Sequence, residues 1–211
     1  MNIIRRPFRY SYDNVVFILI GLNIVVYMAV IFMRNIPIIP YLAMNPVLVI
    51  RLGWVWQFFT YMFIHDPNSI GHLLFNMLAL FIFGRQVEGH IGSREFLLYY
   101  FLTGALAGIF SFVAYLFTGN PWVTLMGASG AIFAIQLAFA VFFPNSVIYI
   151  WGILPLRAPV MVLGFTGLGL VFMITGRGGN VAHVTHLAGF GFGWLYFVIR
   201  FGINPWRAMR R

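Results

Sequence analysis

The chain has 211 residues, of which 62% are hydrophobic and 8% charged, with a mean hydropathy of +0.92. A water-soluble domain of this length cannot hide so much apolar surface, so lipid has to be the solvent. The formal charge of +9 comes from Arg alone, mostly at the ends of apolar runs, which points to a membrane surface rather than nucleic acid; the absence of Cys excludes disulfides and thiolate chemistry.

Residues 1–14 carry Arg5, Arg6 and Arg9 and no small-residue cleavage site, so the apolar run that follows reads as a retained span. Six stretches are long enough to cross a hydrocarbon core of ~30 Å. They are Val15–Met33, Ile70–Val87, Phe96–Phe117, Val123–Phe143, Ala158–Thr175 and Val181–Ile199. Pro155 and Pro159 separate Val147–Leu156 from the fifth span, and that piece reads as a short extended or interfacial segment. The expected fold is an all-α membrane protein, a six-helix bundle forming one polytopic domain over residues 1–211 with short tails at 1–14 and 200–211. An even number of spans puts both termini on one side. Ten of the thirteen Arg residues then share that side, against Arg34, Arg51 and Arg177 on the other, which makes it the cytoplasmic one.

The longest connection, Arg34–Ser69, lies on the outer side and interleaves Trp54, Trp56, Phe58, Phe59 and Tyr61 with few charges. Such a loop reads either as lying in or on the outer leaflet or as an ordinary aromatic belt. Asn76, Ser129 and His186 each fall six or seven residues into their apolar runs, ~10 Å below the outer surface at the helical rise. Polar groups in lipid are costly unless partnered, so these three should face one another. His72 and Asn76 are four apart and share a helix face; His183 and His186, three apart, share another. Gly189 with Gly193, and Gly104 with Gly108, are small-residue pairs that permit close packing.

Each group has a plainer reading. Ser129 alone suits a helix-packing serine, His72 an interfacial residue and Asn76 an interhelical hydrogen bond; His183 and His186 suit structural or metal-binding roles. The inventory of charged groups narrows the chemistry. No Glu accompanies the histidines, as a zinc protease requires. The carboxylates are Asp13 and Asp66, outside the spans, and Glu88 and Glu95, at the cytoplasmic end, so an aspartyl pair is excluded. What remains is a serine nucleophile with a histidine base, a dyad without an orienting carboxylate and without metal or cofactor. Phe133, one turn after Ser129, offers a surface for the imidazole. Neutral donors must then hold the oxyanion: the Asn76 amide, a His72 ring N–H and the backbone N–H at Ser129. Gly127 and Gly130 would allow a sharp helix entry and a close substrate backbone.

These residues resemble the rhomboid intramembrane serine proteases. The likeness is carried by Trp56-Gln57-x-x-Thr60, His72-x-x-x-Asn76, Gly127-x-Ser129-Gly130 and His186-x-x-Gly189-x-x-x-Gly193, over Trp54 to Ile199 in the family's order. The resemblance implies Ser129 as nucleophile, His186 as general base, and His72 with Asn76 in the oxyanion hole. It also implies cleavage of single-span membrane proteins near a helix end, after a small side chain. Three positions depart from the pattern. Gln57 stands where an Arg is common, which would loosen the loop; His65 lies seven residues before His72, more than the usual gap; and Phe133 replaces a frequent Tyr. His183 stays a rival for the base, with only the Gly189 and Gly193 spacing favouring His186. A non-catalytic membrane binder and a proton-linked transporter are the alternatives. The Ser129 and His186 pair argues against the first, and the lack of intramembrane carboxylates against the second. A prokaryotic plasma membrane, with both termini in the cytoplasm, is the expected location.

Overall fold

The computed structural model describes residues 5–33, 35–150, 152–175 and 180–211, without the side chains of 180–182. It is a helical membrane bundle. Helix α1 (Val15–Phe32) is followed by a loop that carries α2 (Ile38–Leu42), α3 (Pro46–Leu52), α4 (Gln57–Thr60) and a 3-10 turn at Tyr61–Phe63. Helix α5 (Ile70–Ala79) runs through a π turn (Leu80–Gly84) into α6 (Arg85–Ile91), forming one rod. Then come α7 (Ser93–Phe117), α8 (Ser129–Phe142), the antiparallel hairpin β1 (Val147–Ile150) and β2 (Leu154–Arg157), and α9 (Ala158–Thr175). Helix α10 (Asn180–Tyr196) ends in a π turn at Phe197–Phe201, and α11 (Pro205–Ala208) closes the chain.

Among the described residues, five helical rods are long and apolar enough to cross a membrane: α1, α5–α6, α7, α9 and α10 with its π turn. The chain is an integral, multi-pass membrane protein. The expected fourth span, Val123–Phe143, is corrected: it is helical only from Ser129 to Phe142, 14 residues, or ~21 Å. The physical reason is at Gly127, whose φ of +114° no helix accommodates. Non-helical backbone at membrane depth survives only where protein satisfies its polar groups. Here the long loop does so. Leu125 and Met44 exchange both backbone hydrogen bonds (2.8 and 3.0 Å), and Gly127 N–H donates to the Tyr61 carbonyl at 3.0 Å.

Helix α8 sits at the centre. Eleven of its 14 residues are buried, from Gly130 to Val141, whereas α9 buries only Ala158, Pro159, Met161 and Val162 near its start. The periphery carries large exposed apolar side chains such as Val25, Phe75, Phe110, Leu168 and Ile174, as lipid contact requires. Close packing at the centre depends on glycine. A Cβ on Gly189 would fall 1.9 Å from the Gly130 carbonyl oxygen, and one on Gly193 3.1 Å from the Ala134 backbone. Helix α10 therefore rests directly on the backbone of α8. The Gly104 and Gly108 pair permits close packing of two kinds: Gly104 lies against Met62 of the loop and Ala131 of α8, and Gly108 against Tyr61 and the Phe58 carbonyl of α4.

The loop is well tied down. Asn45 caps α3 by accepting from Val47 N–H and Leu48 N–H, with Pro46 at the first helical position and Gly53 in the left-handed region after the last. Gln57, expected to loosen the loop, is fully buried. Its Oε1 accepts from Asn45 N–H at 3.0 Å and its Nε2 donates to the Pro40 carbonyl at 2.8 Å. A neutral amide fits this buried spot without the desolvation cost of a guanidinium. At the opposite end, Glu88 accepts from Val15 N–H, Val16 N–H and the Ser93 hydroxyl, capping α1 from another segment. Glu95 pairs with Arg200 at 2.7 Å. Both carboxylates are structural.

Candidate active site

Ser129 is the first residue of α8, so its N–H has no partner within the helix and points, with the positive end of the helix dipole, out of the N-terminus. His186 lies on α10, one turn before Gly189. The contact of Gly189 on the Gly130 backbone brings the two together: His186 Nε2 is 2.8 Å from Ser129 Oγ. Phe133 follows Ser129 by one helical turn, and its ring stacks on His186 at 4.3 Å between centroids, 10° from parallel. No carboxylate touches the imidazole among the described contacts; apolar stacking sets its plane.

His72 and Asn76 project from one face of α5. Asn76 Nδ2 donates to the His72 carbonyl at 2.7 Å, which fixes the amide and leaves its second N–H free to donate elsewhere. His72 Nδ1 accepts from Asp66 N–H at 3.4 Å. In a neutral ring that leaves the proton on Nε2, making this nitrogen a donor. The same Nε2 would lie 2.8 Å from a Cβ on Gly127, whose Cβ would in turn be 3.9 Å from Ser129 Oγ. Gly127 therefore has two jobs: it adopts the positive φ that starts α8 at Ser129, and it leaves room for a ring N–H beside the serine. The role of Gly127 toward His72 depends on a contact between segments 55 residues apart and had no signal in the sequence.

The other histidines fall elsewhere. His183 packs against Phe172 of α9, with its ring 6.4 Å from that of His186, and no contact joins it to Ser129. His65 is fully buried, its ring 5.1 Å from that of His72. Burial and the facing His72 push its imidazole down to about 4, so it stands neutral behind the site. Ser129 does not lie six residues inside a helix as its apolar run implied, yet Asn76 and His186 do sit six residues into theirs. The loop segment before Ser129 reaches the same depth without helix. By its composition the Gly-rich Gly176–Asn180 connection before the last span reads as a lid; residues 176–179 of it lie outside the described part.

Chemically, the arrangement offers a hydroxyl with an imidazole in hydrogen-bonding reach, N–H donors from the Ser129 backbone and His72 on either side of Gly127, and an Asn76 amide on the same face of α5 as His72. A family model described as the Rhomboid domain matches residues 52–203. Curated relatives include the RHOMBOID-like protein 12, mitochondrial, of Arabidopsis thaliana, 33% identical over 136 residues, covering 57% of this chain and 40% of the relative. The rhomboid protease GlpG of Salmonella typhi is 32% identical over 115 residues, covering 54% of this chain and 38% of the relative. The rhomboid protease GluP of Bacillus subtilis (strain 168) is 41% identical over 85 residues, covering 40% and 15%. The chain thus matches two-fifths or less of each of these relatives' own length.

Proposed function

The chain belongs to the rhomboid family, and from that premise we propose that it is an intramembrane serine endopeptidase working through a dyad of Ser129 and His186. The observation that carries this reading is the 2.8 Å contact between Ser129 Oγ and His186 Nε2. Two of the relatives are named rhomboid proteases, which supports it. In the proposed reaction His186 Nε2 takes the hydroxyl proton as Ser129 Oγ attacks a peptide carbonyl. The developing oxyanion accepts from the backbone N–H of Ser129, from His72 Nε2–H and from the free amide N–H of Asn76, beside the gap that Gly127 leaves. His186 then gives its proton to the leaving amine, and water, deprotonated by the same ring, releases the acyl group and restores the hydroxyl. The substrates are single-span membrane proteins that enter laterally from the bilayer and unwind locally, since helical peptide bonds are shielded by their own hydrogen bonds. The protein acts as one polytopic domain, residues 1–211, in a prokaryotic plasma membrane, with both termini cytoplasmic as the Arg distribution favours.

The test is covalent labelling. A fluorophosphonate should modify purified protein at Ser129, located by peptide mass spectrometry, and His186→Ala should abolish labelling while the protein stays folded. Equal labelling of the His186→Ala variant would overturn the dyad. Asn76→Ala should lower kcat by about 10²–10³-fold with KM little changed, because its donor acts on charge that exists only in the transition state. A change confined to KM, measured on a reconstituted substrate, would assign Asn76 to substrate binding instead.

A further inference from the structure

The end of the bundle remote from Ser129, ~20 Å away along α8, holds a pocket that the proposed chemistry does not use. It has a volume of ≈ 500 Å³ and lies between α6, the last turn of α8 and the 202–211 segment. His90, Asn204, Arg207 and Arg211 line its polar side, and Phe142 and Ile203 are among its apolar walls. Arg5 also reaches this corner: its Nη1 would be 3.9 Å from a Cβ on Gly202, another lining residue.

The charge here is unbalanced. No acidic residue lines the pocket. Of the four acidic side chains, Glu88 is committed to the α1 N-terminus and Ser93, Glu95 pairs with Arg200, Asp66 is at the other end, and Asp13, exposed beside Ser93, does not line the pocket. Asn204 Oδ1 accepts from Arg207 N–H, so what its side chain still offers is an N–H donor. The pocket is therefore built of donors and cations around an apolar floor, and it sits where the apolar helices end. Trp206, half exposed with Arg210 stacked on its ring at 4.6 Å, marks the same level as an interfacial one.

We propose that this pocket binds the phosphate of an anionic phospholipid, with Arg207, Arg211 and the Asn204 amide on the phosphate oxygens and the first acyl carbons against Phe142 and Ile203. A guanidinium pair matches phosphate geometry, and basic pockets between membrane helices select such headgroups. The inference does not depend on peptidase activity.

The experiment uses the full chain, delipidated in detergent and titrated with phosphatidylglycerol or phosphatidylcholine under native mass spectrometry. One phosphatidylglycerol should bind well above phosphatidylcholine. Arg207→Gln should weaken it about five-fold, the worth of one interfacial cation, and Arg211→Gln added to it should weaken it further. Arg157→Gln, an exposed Arg of β2 outside the pocket, should leave binding unchanged. Thermal melting in phosphatidylcholine alone checks that the variants fold. Equal loss in Arg157→Gln would mean general surface charge and overturn the site. Displacement by millimolar inorganic phosphate would reassign the site to free phosphate and overturn the lipid reading; failure to displace supports it.

Discussion

Ser129→Ala is expected to lower cleavage of a reconstituted single-span substrate on the order of 10⁶-fold, to the background of the assay. His186→Ala should do the same, and the double variant should cost no more than either alone. In the proposed dyad nucleophile and base act as one unit: a hydroxyl without a base keeps its proton, and a base without the hydroxyl has nothing to activate. The 2.8 Å hydrogen bond joins them directly, and the described contacts offer the ring stacking but no carboxylate to share the work. Independent, additive losses would argue that the two residues serve different steps. Full activity of the Ser129→Ala protein would remove the proposed chemistry altogether. Neither substitution should unfold the bundle, because the packing of α10 on α8 runs through glycine backbones rather than through this pair.

Gly189→Ala is expected to damage both stability and catalysis. Its new Cβ would lie 1.9 Å from the Gly130 carbonyl oxygen, a backbone atom that cannot swing aside. The helices must separate by more than an ångström, so overpacking costs about 1–3 kcal/mol or more. His186 is one turn away on the same helix and moves with it. A displacement of ~1 Å at a reacting group costs about 10²-fold in rate, so turnover should fall at least that far even in molecules that remain folded. Gly191→Ala is the control: nothing lies within 4 Å of its Cβ position, so the helix is equally altered in sequence but not in packing. Thermal unfolding and cleavage measured on both variants separate the two cases. Similar behaviour of the two would mean that glycine content, and not the contact with Gly130, governs this helix.

Much of the design was readable from the chain because membrane proteins have few options. Runs of apolar residues of spanning length must be helices, since no other open structure satisfies its backbone in lipid. Four carboxylates, all near the ends of spans or outside them, left few ways to activate water or a nucleophile. Small residues at Gly189 and Gly193 announced a close helix contact. The same local reading misjudged two features. It ran the fourth helix back to Val123, because hydropathy does not register that Gly127 needs a positive φ. It read Gln57 as a weakening, although the amide joins Asn45 and Pro40 in a fully buried site.

The amino-acid sequence by itself determined the solvent, which runs are apolar, where the Arg residues collect and which chemical groups exist at all, because these follow from composition and from residues close together in the chain. The tertiary structure alone decided which histidine faces Ser129, which tautomer His72 adopts and where α8 begins. Each of those depends on contacts between distant segments, whose distances are set by packing of side chains and glycine backbones that no local pattern encodes.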